Sequence, residues 1–470
     1  MAPTVAPGLA SGLATCLVFC LCWGLSCSSE PPPRSILLIT VDTLRADHLG
    51  IYGYPRSTSP NIDRWFADAA IFERSYSTEA RTPQSVTSIL SGRLPQEHRV
   101  RKYWQLVPDE IRLIPDLLPE AHQKAAFVSN AVLVDKAIGI ADRFEHYDED
   151  FDRSGPHGRN TGERDARATT DAVLRWLREE RDPDRPFFVW IHYMDPHIPY
   201  RPPEEWSAAF SHDEPALVPR SRFSLGMFGK EVDGPPVDAR DFVDAYDAEI
   251  AFMDHEIGRL LDTWAELESL DDSLMLLTAD HGEALMEYEM YFGHGYQVYE
   301  SIIHVPLLVR GPGVRSARHP GLTSGIDVLP TVLAFAGGAS PEELPGIDLS
   351  GPAAIPPERI VYAETTFAKN TWRTAIRAMD KWMLRIAREG DIAEWRHYDL
   401  AADVGEEAPR PWSAGASGGD RLLELLAKDP DRAGPARIAA PGGVTGPNEI
   451  APRVSEEELE TLRALGYVGD

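Results

Sequence analysis

Ile36-Leu37-Leu38-Ile39-Thr40-Val41 runs directly into Asp42. The run is continuous, largely branched and uncharged, as a strand buried on both faces of a sheet requires. Ala125-Ala126-Phe127-Val128, Phe187-Phe188-Val189-Trp190-Ile191, Leu274-Met275-Leu276-Leu277 and Val305-Pro306-Leu307-Leu308-Val309 are similar. Pro306 cannot donate to a ladder, so the last run is predicted at a sheet edge or at a strand start. Helical patterns alternate with these runs. Residues 168–180 place Val173, Leu174, Trp176 and Leu177 on one face, and Tyr246 to Leu261 reads as a second helix. The alternation predicts an α/β domain with a largely parallel sheet.

Functional groups in such sheets collect at the carboxyl ends of strands. Asp42 follows the first run, Asp195 and His197 follow the third, and Asp280 and His281 follow the fourth. Singly, an Asp after a strand is often a turn or helix cap. Ligand-type residues in three equivalent places point instead to one cluster.

The 470 residues can bury a large core. A Pro- and Gly-rich stretch from about 340 to 358 divides a predicted main domain (34–345) from a smaller C-terminal one (355–470). In the latter, Ile360-Val361-Tyr362-Ala363 and Trp382-Met383-Leu384-Arg385-Ile386 read as strands, and 403–452 as long surface loops. Ser455-Glu456-Glu457-Glu458 is a capping box opening a short helix that stops at Gly466.

Lys and Arg total 46 against 74 Asp and Glu, a net charge of −28. That balance argues against nucleic acid as a partner, since a phosphate backbone needs a cationic face. The four cysteines are Cys16, Cys20, Cys22 and Cys27. The rest of the chain therefore has no disulfide framework, zinc ribbon or cysteine nucleophile. Residues 8–27 carry no charge, and 1–27 reads as an export signal followed by a linker at 28–33. Leu25-Ser26-Cys27-Ser28 resembles a bacterial lipoprotein box, with Cys27 as the lipidated residue. A cleaved plain signal and an uncleaved anchor are the alternatives. The expected location is outside the cytoplasm: periplasmic, lipid-anchored or secreted. Membrane contact is expected only through the N-terminal segment.

Thr82 followed by Pro83 reads as a helix N-cap and a first-turn proline, with Val86, Ile89 and Leu90 as the buried face. Thr82 is then either a cap alone or a hydroxyl placed in the positive field of a helix start, where an attacking oxygen is favoured. Ser85, one turn on, is expected to bond the helix itself.

The stretch Thr82-Pro83-Gln84-Ser85-Val86-Thr87-Ser88-Ile89-Leu90-Ser91-Gly92-Arg93 resembles the nucleophile segment of the sulfatase family. That segment reads Cys-x-Pro-Ser-Arg, then small and apolar residues, then Thr/Ser-Gly-Arg. Its nucleophile Cys falls on Thr82. Formylglycine, which the family makes from Cys or Ser, is therefore not expected. Val41-Asp42-Thr43-Leu44-Arg45-Ala46-Asp47-His48-Leu49-Gly50 resembles a first signature carrying two acids, the second replaced here by Thr43. Thr278-Ala279-Asp280-His281-Gly282-Glu283 resembles a second.

The resemblance implies one divalent cation held by Asp42, Asp280 and His281, with Thr82 as a fourth ligand. The histidine favours Zn²⁺ or Mn²⁺ over Ca²⁺ or Mg²⁺. His192-Tyr193-Met194-Asp195-Pro196-His197 resembles an anion-binding segment, and Tyr291-Phe292-Gly293-His294-Gly295 one that assists the leaving group. They imply Thr82, His197 and His294 as the catalytic set. Asp195, His197 and His294 are also candidates for a second metal or an anion site. Two family features are absent: Val86 replaces an Arg, and no Lys-x-His occurs near Val128-Ser129-Asn130.

The implied fold is alkaline-phosphatase-like: a central mixed, mostly parallel sheet between helices, with a smaller C-terminal α+β domain. The implied activity is metal-dependent hydrolysis or transfer at a phosphate, phosphonate or sulfate ester. Its substrate would be a small-molecule, glycan or lipid ester. An inactive binding protein on the same fold, and a sulfuric ester hydrolase with an unconventional nucleophile, are the alternatives. The resemblance runs from 34 to 345 and continues in Leu465-Gly466-Tyr467-Val468.

Overall fold

A computed structural model describes residues 35–150, 163–220, 234–268 and 272–410, with 419, 420, 422 and 424. Within these spans it omits 289–290, 339, 342, 352–354, 368–369 and 388–391. The signal at 1–27 with Cys27, the linker at 28–33, the helix after Ser455 and the motif at 465–468 lie outside the described residues, as do the loops beyond 410 apart from those four positions.

The predicted runs form strands β1 (Ile36–Val41), β2 (Ala70–Tyr76), β3 (Gln123–Val128), β4 (His146–Asp148), β5 (Phe187–Tyr193), β6 (Leu274–Ala279), β7 (Leu307–Arg310) and β8 (Ala317–Ser324). They lie in one nine-stranded sheet in the order β8-β2-β7-β6-β1-β5-β3-β4, with His304–Val305 pairing β2 as the ninth. β1 is parallel to both β5 and β6, while β7 is antiparallel to β2 and β6. The sheet is thus mixed and mostly parallel. Pro306 precedes β7, which sits inside the sheet rather than at an edge. The missing N–H falls at the junction between two strand segments, where no ladder bond is lost.

β1 is buried throughout, and its side chains alternate between two cores. Leu37, Ile39 and Val41 join the core containing Val173, Trp176, Ile250 and Phe252. Ile36 and Leu38 join the one containing Val86, Ile89, Leu90 and Leu329. Helix α1 (Thr82–Ser91) and helix α4 (Val328–Ala336) therefore cover one face; α2 (Ala166–Arg175) and α3 (Ala239–Leu267) cover the other. This is the three-layer arrangement that a sheet of continuous apolar strands demands. α3 starts well before the predicted Tyr246, at a cap where Asp238 accepts the Arg240 N–H (3.1 Å). Its first turns carry few buried apolar residues, so periodicity does not report them.

The C-terminal region holds an antiparallel sheet of β9 (Ile360–Phe367), β10 (Asn370–Arg377), β11 (Asp380–Ala387) and β12 (Ile392–Asp399) in sequential order. β10 and β12 interleave Thr, Arg and His with apolar residues, which hides them from a search for apolar runs. β9 reaches the main sheet's site through the segment before α1. Glu79 and Glu364 form a parallel bridge, and the Glu364 N–H donates to the Thr78 carbonyl (2.9 Å).

Candidate active site

β1, β5 and β6 end level, with Val41 opposite both Tyr193 and Ala279. That register puts Asp42 and Asp280 side by side, with His192, the penultimate residue of β5, next to Asp42. All three are fully buried, as is His281. Ligand atoms of Asp42, Asp280 and His281 lie within 4.8 Å of one another.

Each group is oriented by a bond that leaves one atom unspent. His281 Nδ1 faces the Gly282 carbonyl at 3.0 Å, which makes Nδ1 the donor and Nε2 the lone-pair nitrogen. Nε2 lies 3.8 Å from Asp42 Oδ1 and 3.5 Å from Asp280 Oδ2. Neither oxygen has a hydrogen-bond donor. Asp280 Oδ1 accepts the His281 N–H (2.7 Å) and the Thr43 N–H (3.3 Å). Two buried carboxylate oxygens and an imidazole nitrogen thus converge with no hydrogen bond among them, a donor set that fits a divalent cation. Asp42, Asp280 and His281 would hold it.

The charges agree. Burial opposes ionisation of Asp42, but His197, His192 and His281 around it hold its carboxyl well below the usual carboxylate range. Burial and then the Asp42 charge push Asp280 up to about 6. Burial depresses His281, yet Asp280 and Asp42 outweigh it and raise the imidazole above its ordinary value.

Thr43, in the place of the second acid, takes φ +53°, a region a β-branched residue seldom adopts. The Tyr246 hydroxyl holds it there by donating to the Thr43 carbonyl (2.8 Å) and accepting the Arg45 N–H (3.1 Å). The Thr43 hydroxyl itself has no hydrogen bond and does not replace the missing carboxylate.

Thr82 is the first residue of α1 rather than its N-cap. Arg81 holds the cap position with extended backbone, and no side chain caps the helix there. The Thr82 hydroxyl is consequently free of the helix. It lies 3.4 Å from Asp42 Oδ2 and 3.4 Å from His281 Nε2. Ser85 also departs from expectation. Its hydroxyl bonds the Asp280 carbonyl (2.6 Å) and the Ser77 hydroxyl (3.0 Å), not its own helix. These two serines tie the start of α1 to the end of β6, because both hydroxyls reach the one carbonyl left beyond the ladder.

His197 and His294 are brought together, with ring centroids 5.0 Å apart, and the His294 ring lies 4.5 Å from that of His281. Burial depresses His197 to about 4, and burial together with His281 depresses His294 to about 3. Asp195 is not brought in. Asp195, His197 and His294 do not place three ligand atoms within 4.8 Å. Asp195 faces other acids: burial and then Asp165 push it up to about 7. The second metal set expected of Asp195, His197 and His294 is therefore not brought together, and Asp195 lies instead within reach of Asp165 and Glu256.

Three site residues escaped the sequence reading. Asn130 donates to Asp42 Oδ2 at 2.6 Å and is itself held by accepting the Val132 N–H (3.0 Å). It occupies the place where Lys-x-His was sought. His192 Nε2 lies 3.4 Å from the same oxygen. It lies in the segment that resembles an anion-binding motif, in which His197 is the residue expected at the anion. Glu283 is fully buried, with Oε1 3.1 Å from His294 Nδ1, and burial raises it to about 7. Its adjacency to His281-Gly282 was the only signal.

The family model described as Sulfatase matches residues 34–339, and the chain belongs to the sulfatase family, within the alkaline-phosphatase superfamily. Over 342 residues the chain is 26% identical to human iduronate 2-sulfatase, and this match covers 61% of the chain and 61% of that protein. The chain thus spans about three fifths of the length of that relative. A protein solved with its substrate D-glucosamine-2-N,6-O-disulfate superposes with a TM-score of 0.69 at 20% identity, covering 85% of this chain and 98% of that one. The phosphonate monoester hydrolase of Agrobacterium radiobacter superposes with a TM-score of 0.65 at 18% identity, covering 84% and 94%. These two likenesses establish the fold.

Proposed function

We propose that the protein is a metal-dependent hydrolase or transferase acting on phosphate, phosphonate or sulfate esters, with Thr82 as the nucleophile. The observation that carries this reading is the Thr82 hydroxyl, 3.4 Å from both Asp42 Oδ2 and His281 Nε2 and used by no helix cap. A divalent cation, with Zn²⁺ or Mn²⁺ favoured, would lower the pKa of a hydroxyl beside it and offset charge on the transferred group. Asn130 and His192 fix the Asp42 carboxylate. Ser77 and Ser85 fix α1 against β6, and so fix the approach of Thr82. The Thr82 hydroxyl gives up its proton to solvent as its oxygen bonds the central phosphorus or sulfur and the bond to the organic oxygen breaks. His294 gives its Nε2 proton to that oxygen while Nδ1 takes one from the Glu283 carboxyl, which burial keeps partly protonated near neutrality, and His197 contacts the anion. Water or a second alcohol then releases the group from Thr82.

The family includes enzymes of sulfate esters, and the fold is shared with a phosphonate monoester hydrolase. Loss of the family's Arg at Val86 and of Lys-x-His near Asn130 favours a changed choice of anion. Formylglycine has no part in this reading. The N-terminal sequence supports export, with Cys27 lipidated or the signal cleaved. Among the described residues no helix is long and apolar enough to cross a membrane.

The test is turnover of aryl phosphate monoesters, diesters, phosphonate esters and sulfates by metal-loaded protein, with Thr82→Ala and Asp280→Ala alongside. Activity on one class, lost in both variants, is the expected result. No turnover of any ester would favour the binding-protein reading, and turnover untouched by Thr82→Ala would overturn the mechanism.

A further inference from the structure

Arg81 is an unusual residue to find beside the nucleophile. It is only 6% exposed, and its charge cannot be removed by titration. Nη2 donates to the Thr366 carbonyl of β9. Nε lies 3.6 Å from Glu79 Oε1 without a hydrogen bond. Nη1 has no hydrogen-bond partner among the described residues. A buried guanidinium with donors unspent is costly unless an anion completes it. Glu79 completes it poorly. Its burial pushes the Glu79 carboxyl up to about 7, so that near neutrality part of its charge is lost.

The surroundings place Arg81 against the loop that carries His294. Gly295, the neighbour of His294, takes φ +81°, and a Cβ there would meet Arg81 Cγ at 3.2 Å. The Gly295 carbonyl accepts the Thr365 hydroxyl (2.8 Å), which fixes the loop against β9. The Arg81 guanidinium lies over the half-buried Tyr103 ring, 5.6 Å from its centroid. Half-buried Tyr296 follows Gly295 directly and lies close enough for the Arg81 charge to act on its hydroxyl. A cation between aromatic side chains suits a flat or ring-shaped ligand that carries an acid.

We propose that Arg81, flanked by Tyr103 and Tyr296, is a subsite for an acidic substituent on the alcohol part of the substrate. The preferred ester then carries two anions: the transferred group at Asp42, Asp280 and His281, and a carboxylate or second ester anion at Arg81. This rests on the reading of His294 as the residue facing the leaving group.

The test is binding, independent of turnover. Benzylphosphonate and 4-carboxybenzylphosphonate share one head group and contain no ester to cleave. Their affinities for the metal-loaded full chain are measured by calorimetry. The carboxylated probe is expected to bind roughly tenfold more tightly. Arg81→Gln is expected to bring the ratio close to one while leaving benzylphosphonate binding unchanged, and Tyr103→Ala to weaken both probes alike. Because Arg81 also holds the Thr366 carbonyl, Arg81→Lys serves as a second variant: it keeps the charge, loses the two-pronged contact, and is expected to lower the ratio severalfold. Equal binding of the two probes by wild type, or a ratio unchanged in both Arg81 variants, would overturn the subsite alone. Binding of neither probe would overturn the reading of the whole site, and the subsite with it.

Discussion

Asp280→Asn is expected to stabilise the metal-free protein and to remove most of its response to metal. Burial and the Asp42 charge raise Asp280 from 3.8 to about 6, so the folded state binds its proton more tightly than the unfolded chain does. Stability contributed by that proton is fully present below about 3.8 and is lost as pH rises through about 6. At pH 7 the ionised group therefore opposes folding by about 3 kcal/mol, taking roughly 1.4 kcal/mol per pKa unit. Asparagine keeps an oxygen for the His281 and Thr43 N–H groups, which now bond Oδ1 at 2.7 and 3.3 Å, and carries no charge. A melting-temperature gain of about 5 °C follows for a chain of this size. Metal acts in the opposite sense. At a hundredfold excess over its dissociation constant it adds about 2.7 kcal/mol to wild type, and far less to a variant short of one ligand. Thermal melts of chelated and Zn²⁺- or Mn²⁺-loaded protein between pH 4 and 8 measure both effects. A chelated Asp280→Asn protein that melts below wild type, with an unchanged metal response, would refute the reasoning: Asp280 would then be a structural turn residue.

Thr82→Ala is expected to abolish turnover while leaving the melting temperature within about 1 °C, since the hydroxyl caps nothing, and Thr82→Ser to retain activity; steady-state kinetics and melts check both. Asn130→Ala removes the 2.6 Å bond to Asp42 Oδ2, and metal affinity read by titration is expected to fall roughly 10- to 100-fold. Glu283→Gln is expected to slow esters of poorly acidic alcohols far more than those of nitrophenol. Proton delivery by His294 matters only for the former, and a set of graded leaving groups reads the difference. His98 concerns stability. Burial and Arg101 lower it to about 3 from 6.5, so stability present above 6.5 is lost as pH falls toward 3. His98→Gln, which can still meet Ser88 at 3.0 Å, is expected to flatten acid unfolding in that window.

β1, β5 and β6 were legible because strands buried on both faces leave unbroken apolar runs, and the residues just beyond them had to share one end of the sheet. The resemblance to the two sulfatase signatures then singled out Asp42, Asp280 and His281 as a set from among the residues at those strand ends. β10 and β12 were not legible, because one-sided strands mix polar and apolar residues. Thr82 was placed on the right helix but one position off its role. Whether a hydroxyl caps a helix or faces across to Asp42 depends on backbone angles at Arg81, which local sequence does not fix.

The sequence by itself determined the layers of the fold, the buried strands, the helix that carries Thr82, and the acids and histidine that end the strands. Periodicity and motif spacing are local properties, and they survive in a string of residues. Only the tertiary structure decided which side chains share the site. It admitted Asn130, His192 and Glu283, left Asp195 outside, and set the Arg81 guanidinium over the Tyr103 ring and against β9. Those choices follow from strand register and from contacts between segments far apart in the chain, where the direction of one side chain is set by packing that no neighbouring residue encodes.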